Sequence, residues 1–356
     1  MDRMDRAQFF DKLALLDEER LKKALWNLYW RGSAGARQRI EAELDPDGHR
    51  RQRVTTEVVD PQWTLDEVGK FVELARSGAY LGGDRRVTPR ERTRWRFTFQ
   101  RLVKDAELAL RDDDIADGAA AMALLLDLAR EMWGYDYFRS EDPIEAARLV
   151  VSDEVALLWS CVQDRLGFAE LARSAAPQLV RWESKHGWTR TGYGRVREKE
   201  TSLAAILGRM LTVPDMWVTF ADRYLEALDA VTAAGAATTR HSRYSSDRGR
   251  EERAGDLAEW NLALLDRLSG GDVEDRLDRL ATHPALGGPD LTYFRARLAH
   301  RRGEQAAARR LVSEALERLP GHKDYLGFAN EIGAPLPARA EEANRSRFQR
   351  LMSDGA

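Results

Sequence analysis

Two short amphipathic helices joined by a tight turn, between Pro289 and His322, constrain this chain more than any other feature. The first, from Asp290 to Arg302, carries Leu291, Phe294, Leu298 and His300 among arginines. The second, from Glu304 to Leu319, sets Ala308, Leu311, Val312, Ala315, Leu316 and Leu319 on one stripe with a period of about 3.6 residues. Gly303 can adopt the left-handed backbone that closes the first helix, and Pro320 with Gly321 stops the second. One such pair cannot hide its apolar stripe alone, so stacked helices are expected on either side.

These residues resemble a tetratricopeptide repeat. Ala296 stands where that family packs its first helix closely, and Gly303 falls in the inter-helix turn. Ala308, Val312 and Ala315 take the small, bulky and small positions of the second helix, with Pro320 at its end. The stretch has the repeat's length of about 34 residues. It departs from the pattern at its start, where Thr292 replaces an aromatic and Arg295 a leucine. The resemblance implies an all-α fold, an array of antiparallel helical hairpins forming an α-solenoid with a tetratricopeptide-like C-terminal segment. It also implies a concave groove lined by the first helix of the pair, at Asp290, Tyr293, Arg297, His300 and Arg301. That surface is basic and would suit an acidic segment or a terminal carboxylate, which arginine can hold in a bidentate fashion.

The rest of the chain, 356 residues in all, agrees with an all-α reading. Leu, Ala, Arg and Glu dominate, and β-branched runs are rare. Residues 1–45 read as a small N-terminal helical module, ending at the turn Asp45-Pro46-Asp47-Gly48, and residues 46–61 as a linker. Residues 62–234 read as a helical array. Thr64 to Glu67 and Thr88 to Glu91 form two capping boxes, the second with proline at the first helical position. Residues 235–250, rich in Thr, Ser and Arg, read as a mobile basic loop. Residues 251–356 complete the tetratricopeptide-like hairpins, with a capping helix at the C-terminus.

Charge and motifs exclude more than they assign. A net charge of −3 drives the chain towards neither nucleic acid nor membrane. A single cysteine, Cys161, rules out an intramolecular disulfide and thiolate zinc sites. No H-E-x-x-H and no G-x-S-x-G is present, so no cofactor, metal or catalytic residue is expected. Met1 to Phe10 lacks an apolar leader core and no apolar run could span a bilayer, so a cytoplasmic protein is expected.

Two alternatives to a non-enzymatic protein-binding scaffold arise from the arginines. A nucleic-acid-binding surface would use Arg90 and Arg94 on a basic helix face. It would add Trp188, Arg190, Tyr193, Arg195 and Arg197 in the loop Lys185 to Lys199, and Arg243 beyond it. Aromatic rings stack bases while arginines hold phosphates. The HEPN ribonucleases carry an arginine a few residues before a histidine, a spacing met by Arg181 with His186, Arg276 with His283 and Arg295 with His300. With this many arginines, six histidines would satisfy it about twice by chance, so it carries little information.

Overall fold

The computed structural model describes residue 14 and residues 17–31, 59–82, 84–238, 243–268 and 274–345. Every regular element among them is helical, with no strand. The chain divides into two compact units, Met1–Val58 and Val59–Ala356. In the first, α1 (Glu18–Arg31) is capped by Asp17, whose Oδ1 accepts the Arg20 N–H at 2.7 Å, and Trp26 and Trp30 stack on its exposed face. The rest of the helical module expected over residues 1–45 falls outside the described residues, residue 14 apart.

In the second unit, α2 (Pro61–Arg76), α3 (Pro89–Ala109), α4 (Ala116–Glu131), α5 (Pro143–Ala147), α6 (Val151–Leu166) and α7 (Phe168–Trp182) come first. A loop with one 3-10 turn (Arg197–Lys199) leads to α8 (Leu203–Met210), α9 (Pro214–Thr238), α10 (Arg243–Asp256) and α11 (Ala258–Arg267). Then follow α12 (Glu274–Ala281), α13 (Gly288–Arg301), α14 (Gln305–Arg318) and α15 (Lys323–Glu331), with a further helical stretch at 338–345. None of the described helices is long and apolar enough to cross a membrane.

Helix starts follow local chemistry. The Thr88 box forms as its sequence requires: Thr88 Oγ1 accepts the Glu91 N–H, and Glu91 Oε2 accepts the Thr88 N–H at 2.7 Å. The box expected at Thr64 does not form. Asp60 caps that helix one turn earlier, accepting the Gln62 and Trp63 N–H groups, and Pro61 sits at the first helical position. Thr64 is instead buried within α2, its hydroxyl donating to the Asp60 carbonyl. Residues 235–250, expected as a mobile loop, are helical through Thr238 and again from Arg243; residues 239–242 lie outside the described ones.

Packing is close. Gly118 at the start of α4 meets the α3 end so tightly that a Cβ would lie 2.7 Å from the Ala109 carbonyl carbon. The principal helix pairings all join elements no more than three places apart along the chain. α13 and α14 pack on each other across Gly303, whose φ is +80°. α13 serves two cores at once. Leu291, Phe294 and Leu298 belong to the large core built from α2 to α13, whereas Tyr293, Ala296 and Ala299 belong to a smaller one with α14, α15 and Ala340. That double use turns the Tyr293 face of α13 towards the helix ends that form the cleft described next.

Candidate binding cleft

Five segments end around one cleft of about 720 Å3. They are the turn after α7 (Glu183 to Trp188), the residues before α8 (Glu200 to Ser202), the α10–α11 junction, the first turn of α13, and the start of α15 with His322. The lining is rich in acid: Glu183, Glu200, Asp256, Glu259, Asp290 and Asp324 face Lys185 and Arg197.

The deeper carboxylates have structural duties. Neither Val150 nor the turn before it supplies a side-chain cap to α6, so Glu200 reaches across, accepting the Val151 and Ser152 N–H groups at 2.8 and 2.9 Å. Glu183, 3 % exposed, accepts the Ala204 N–H at the start of α8 and its neighbour Ser184 N–H, both at 3.0 Å. Burial pushes the Glu183 carboxyl up to about 7 and raises Glu200 as well. Asp256 is raised by burial too. Its Oδ1 accepts the Lys185 N–H, and its Oδ2 takes Arg130 at 3.2 Å. Nearer the surface, Glu259 accepts the Ser202 hydroxyl at 2.6 Å, and Asp290 the Tyr325 hydroxyl at 2.5 Å. Burial, reinforced by that carboxylate, drives the Tyr325 phenol upward, so it remains a neutral donor.

One wall is aromatic. His322 stacks on Tyr325 at 3.9 Å, and Tyr325 on Tyr293 at 4.4 Å, three rings in series. The Nδ1 of His322 is buried without a hydrogen-bond partner. Tyr293 and Tyr325 are 4 % and 1 % exposed, so these rings back the wall from within, and it is the carboxylates at the opening that attract cations.

The five residues expected to form a basic groove separate into two sets. Asp290 and Tyr293 line the cleft. Arg297 lies 5.0 Å over the Phe328 ring and donates to the Tyr293 hydroxyl, and His300 meets the edge of Phe328 and pairs with Gln305. Arg301 is consumed by the Leu265 carbonyl and Glu274, and its neighbour Arg302 by Glu274 and Asp278. The cleft is therefore acidic where a basic one was expected, because these guanidinium groups already have partners within the fold.

The arginine-rich loop is likewise occupied internally. Trp188, expected to stack a base, is 2 % exposed, and its Nε1 donates to the Trp182 carbonyl at 2.9 Å. Arg190 donates to the Met132 and Tyr135 carbonyls and pairs with Asp136 at 2.6 Å. The Arg195 and Val196 N–H groups fall on Glu145, while Arg197 lies against Gly187 inside the cleft. Tyr193 stands 73 % exposed, and Arg90 and Arg94 are exposed on α3, far along the chain from it. The side chain of Arg243 lies outside the described residues. The spaced arginine–histidine pairs form no common site. His283 is buried between Asp229 and the Ala285 N–H with its pKa lowered by burial, Arg276 pairs with Asp222, and His186 stacks on Trp133. Arg181 pairs with Asp127, and Arg295 donates to the Ala281 carbonyl.

Among the described residues no group of three or more His, Cys, Asp or Glu side chains is arranged to hold a metal ion. Glu183, Glu259, His322, Asp324 and Tyr325 were not singled out from the sequence. The available signal was Tyr325, which follows the repeat-like stretch at the spacing of a new first helix. In comparison with known proteins, the chain matches no family model, no curated protein and no solved structure.

Proposed function

We propose that this protein is a non-catalytic helical-repeat scaffold, tetratricopeptide-like from α13 onward, that captures a basic peptide segment of a partner protein in the acid-rich cleft. The observation that carries the reading is the exposed pair Glu259 and Asp324, set with the half-buried Asp290 and His322 in a lining whose charged groups are mostly acidic. A lysine or arginine side chain entering there would meet carboxylates at its head, while its stem runs along Leu262, Leu319 and His322. The repeat assignment is supported by the closely packed α13 and α14, by Ala296, Ala308 and Ala315 buried at their contact, and by the short reach of the helix pairings. Binding fits better than catalysis, because the buried acids are held by backbone donors at helix starts rather than poised towards the opening. The partner's charge is opposite to that implied by the sequence resemblance, for the reason given by Arg301 and Arg302.

Calorimetric titration of the full chain with a lysine- and arginine-rich peptide tests this, with a glutamate-rich peptide of equal length as comparison. The basic peptide should bind, lose affinity as salt rises, and bind about tenfold more weakly to the Glu259→Gln, Asp324→Asn double variant. Equal binding of both peptides, or an unaffected double variant of native helicity, would overturn it.

A further inference from the structure

A second cavity of about 590 Å3 lies between α4, α7, α9 and α10 and shares Glu183 and Asp256 with the cleft. Its volume is that of a small-molecule site, about 300–1,000 Å3. One side is apolar, built from Pro177 and Val180 of α7 and Ala227, Ala230 and Val231 of α9. The other presents Arg130, Arg181 and Arg253.

Two of those arginines have unmet demands. Arg130 gives one Nη2–H to Asp256, but its Nε is buried with no acceptor. Arg253 is half-buried, and its hydrogen-bond partner is the Ala285 carbonyl at 3.0 Å; no described carboxylate lies within ion-pairing distance of it. Burial lowers the Arg253 pKa, outweighing the raising influence of Tyr224, Asp256 and Glu252. By contrast Arg181 is already paired with Asp127 at 3.1 Å. A guanidinium drawn away from water with donors unmet is costly, and a bound carboxylate would supply the missing acceptors.

We propose that this cavity binds an amphiphilic anion, a carboxylate on an unbranched apolar chain. Its head sits on Arg253 and the free Nε of Arg130, and its chain runs along Pro177, Val180, Ala227 and Val231. Glu252 and Asp256, also in the lining, favour a singly charged head over a phosphate dianion, which they would repel. This site does not depend on the peptide reading of the neighbouring cleft.

Titration of the full chain with decanoate, followed by calorimetry, tests the assignment against acetate and decyltrimethylammonium. Decanoate should saturate a single site. Arg253→Met, which keeps the volume but not the charge, and Val231→Trp, which fills the apolar end, should each weaken it by about tenfold or more. Arg253→Lys should retain part of the affinity. The assignment fails if acetate binds as tightly as decanoate, if the cationic amphiphile binds equally well, or if both weakening variants bind like the native chain. Should Arg253→Met lose helicity by circular dichroism, Val231→Trp decides alone.

Discussion

The loop Lys185 to Lys199 and the pair α13–α14 are alike in composition, both thick with arginine and punctuated by aromatic rings, yet they use those residues differently. The loop turns its chemistry inward. Trp188 plugs the core beneath α7, Arg190 ties down the carbonyls after α4, and Glu145 gathers the backbone of Arg195 and Val196. The α13 face buries its rings too, Tyr293 and Tyr325 being 4 % and 1 % exposed, but it leaves the carboxylates of Glu259 and Asp324 accessible near His322. Arginine content thus says little about a surface. What matters is whether carbonyls and carboxylates of the same fold meet every donor, since a guanidinium they satisfy is structural and one with a buried donor left over, such as Arg130, is open to a ligand.

Substitutions can break that contrast. Trp188→Ala should cost about 3–5 kcal/mol of stability, read as a shift in the urea midpoint, because it empties a core position and orphans the Trp182 carbonyl. A base-stacking residue would give little change, which would return the loop to the role of a binding surface. Arg190→Ala comes next, at about 2 kcal/mol, since three partners lose their donor; a near-neutral result would mean those contacts contribute nothing in solution.

Glu183 sharpens the comparison through pH. Its folded-state pKa, about 7 through burial, lies above the ordinary 4.5. The stability linked to the protonated form is therefore full below about 4.5 and lost as pH rises through about 7. Relative to Glu183→Gln, the native chain should lose about 1–3 kcal/mol between about pH 5 and pH 8. Parallel denaturation curves across that window would contradict the burial account. The smallest effect is expected at Arg301→Ala. Its partly exposed pair with Glu274 is worth about 0–1 kcal/mol, and basic-peptide affinity should not fall with it.

Much of the fold is legible in the chain itself. The Thr88 box and the α13–α14 stripe act locally, and local rules find them. Thr64 misleads because Asp60-Pro61 offers a stronger start one turn earlier, and a threonine can be buried when its hydroxyl finds the Asp60 carbonyl. The stretch before Gly249 misleads through its polarity. α10 is helical although its sequence is strongly polar, resting on α13 with Glu251 against Gly288 and Gly255 against Asp290. Of the cleft only Asp290 and Tyr293 were legible, because Glu183, Glu259, Asp324 and Tyr325 come from segments whose meeting depends on the stacking of whole helices. The sign of its charge followed from pairings such as Arg301 with Glu274 that no local pattern encodes.

The most direct test of the account is the carbon–proton correlation spectrum of the aromatic side chains during titration of the full chain with an arginine-rich peptide. The rings of His322, Tyr325 and Tyr293 should shift together and saturate, while the Trp188 indole stays fixed. Shifts at Trp188 and Tyr193 with the three stacked rings unmoved would contradict it.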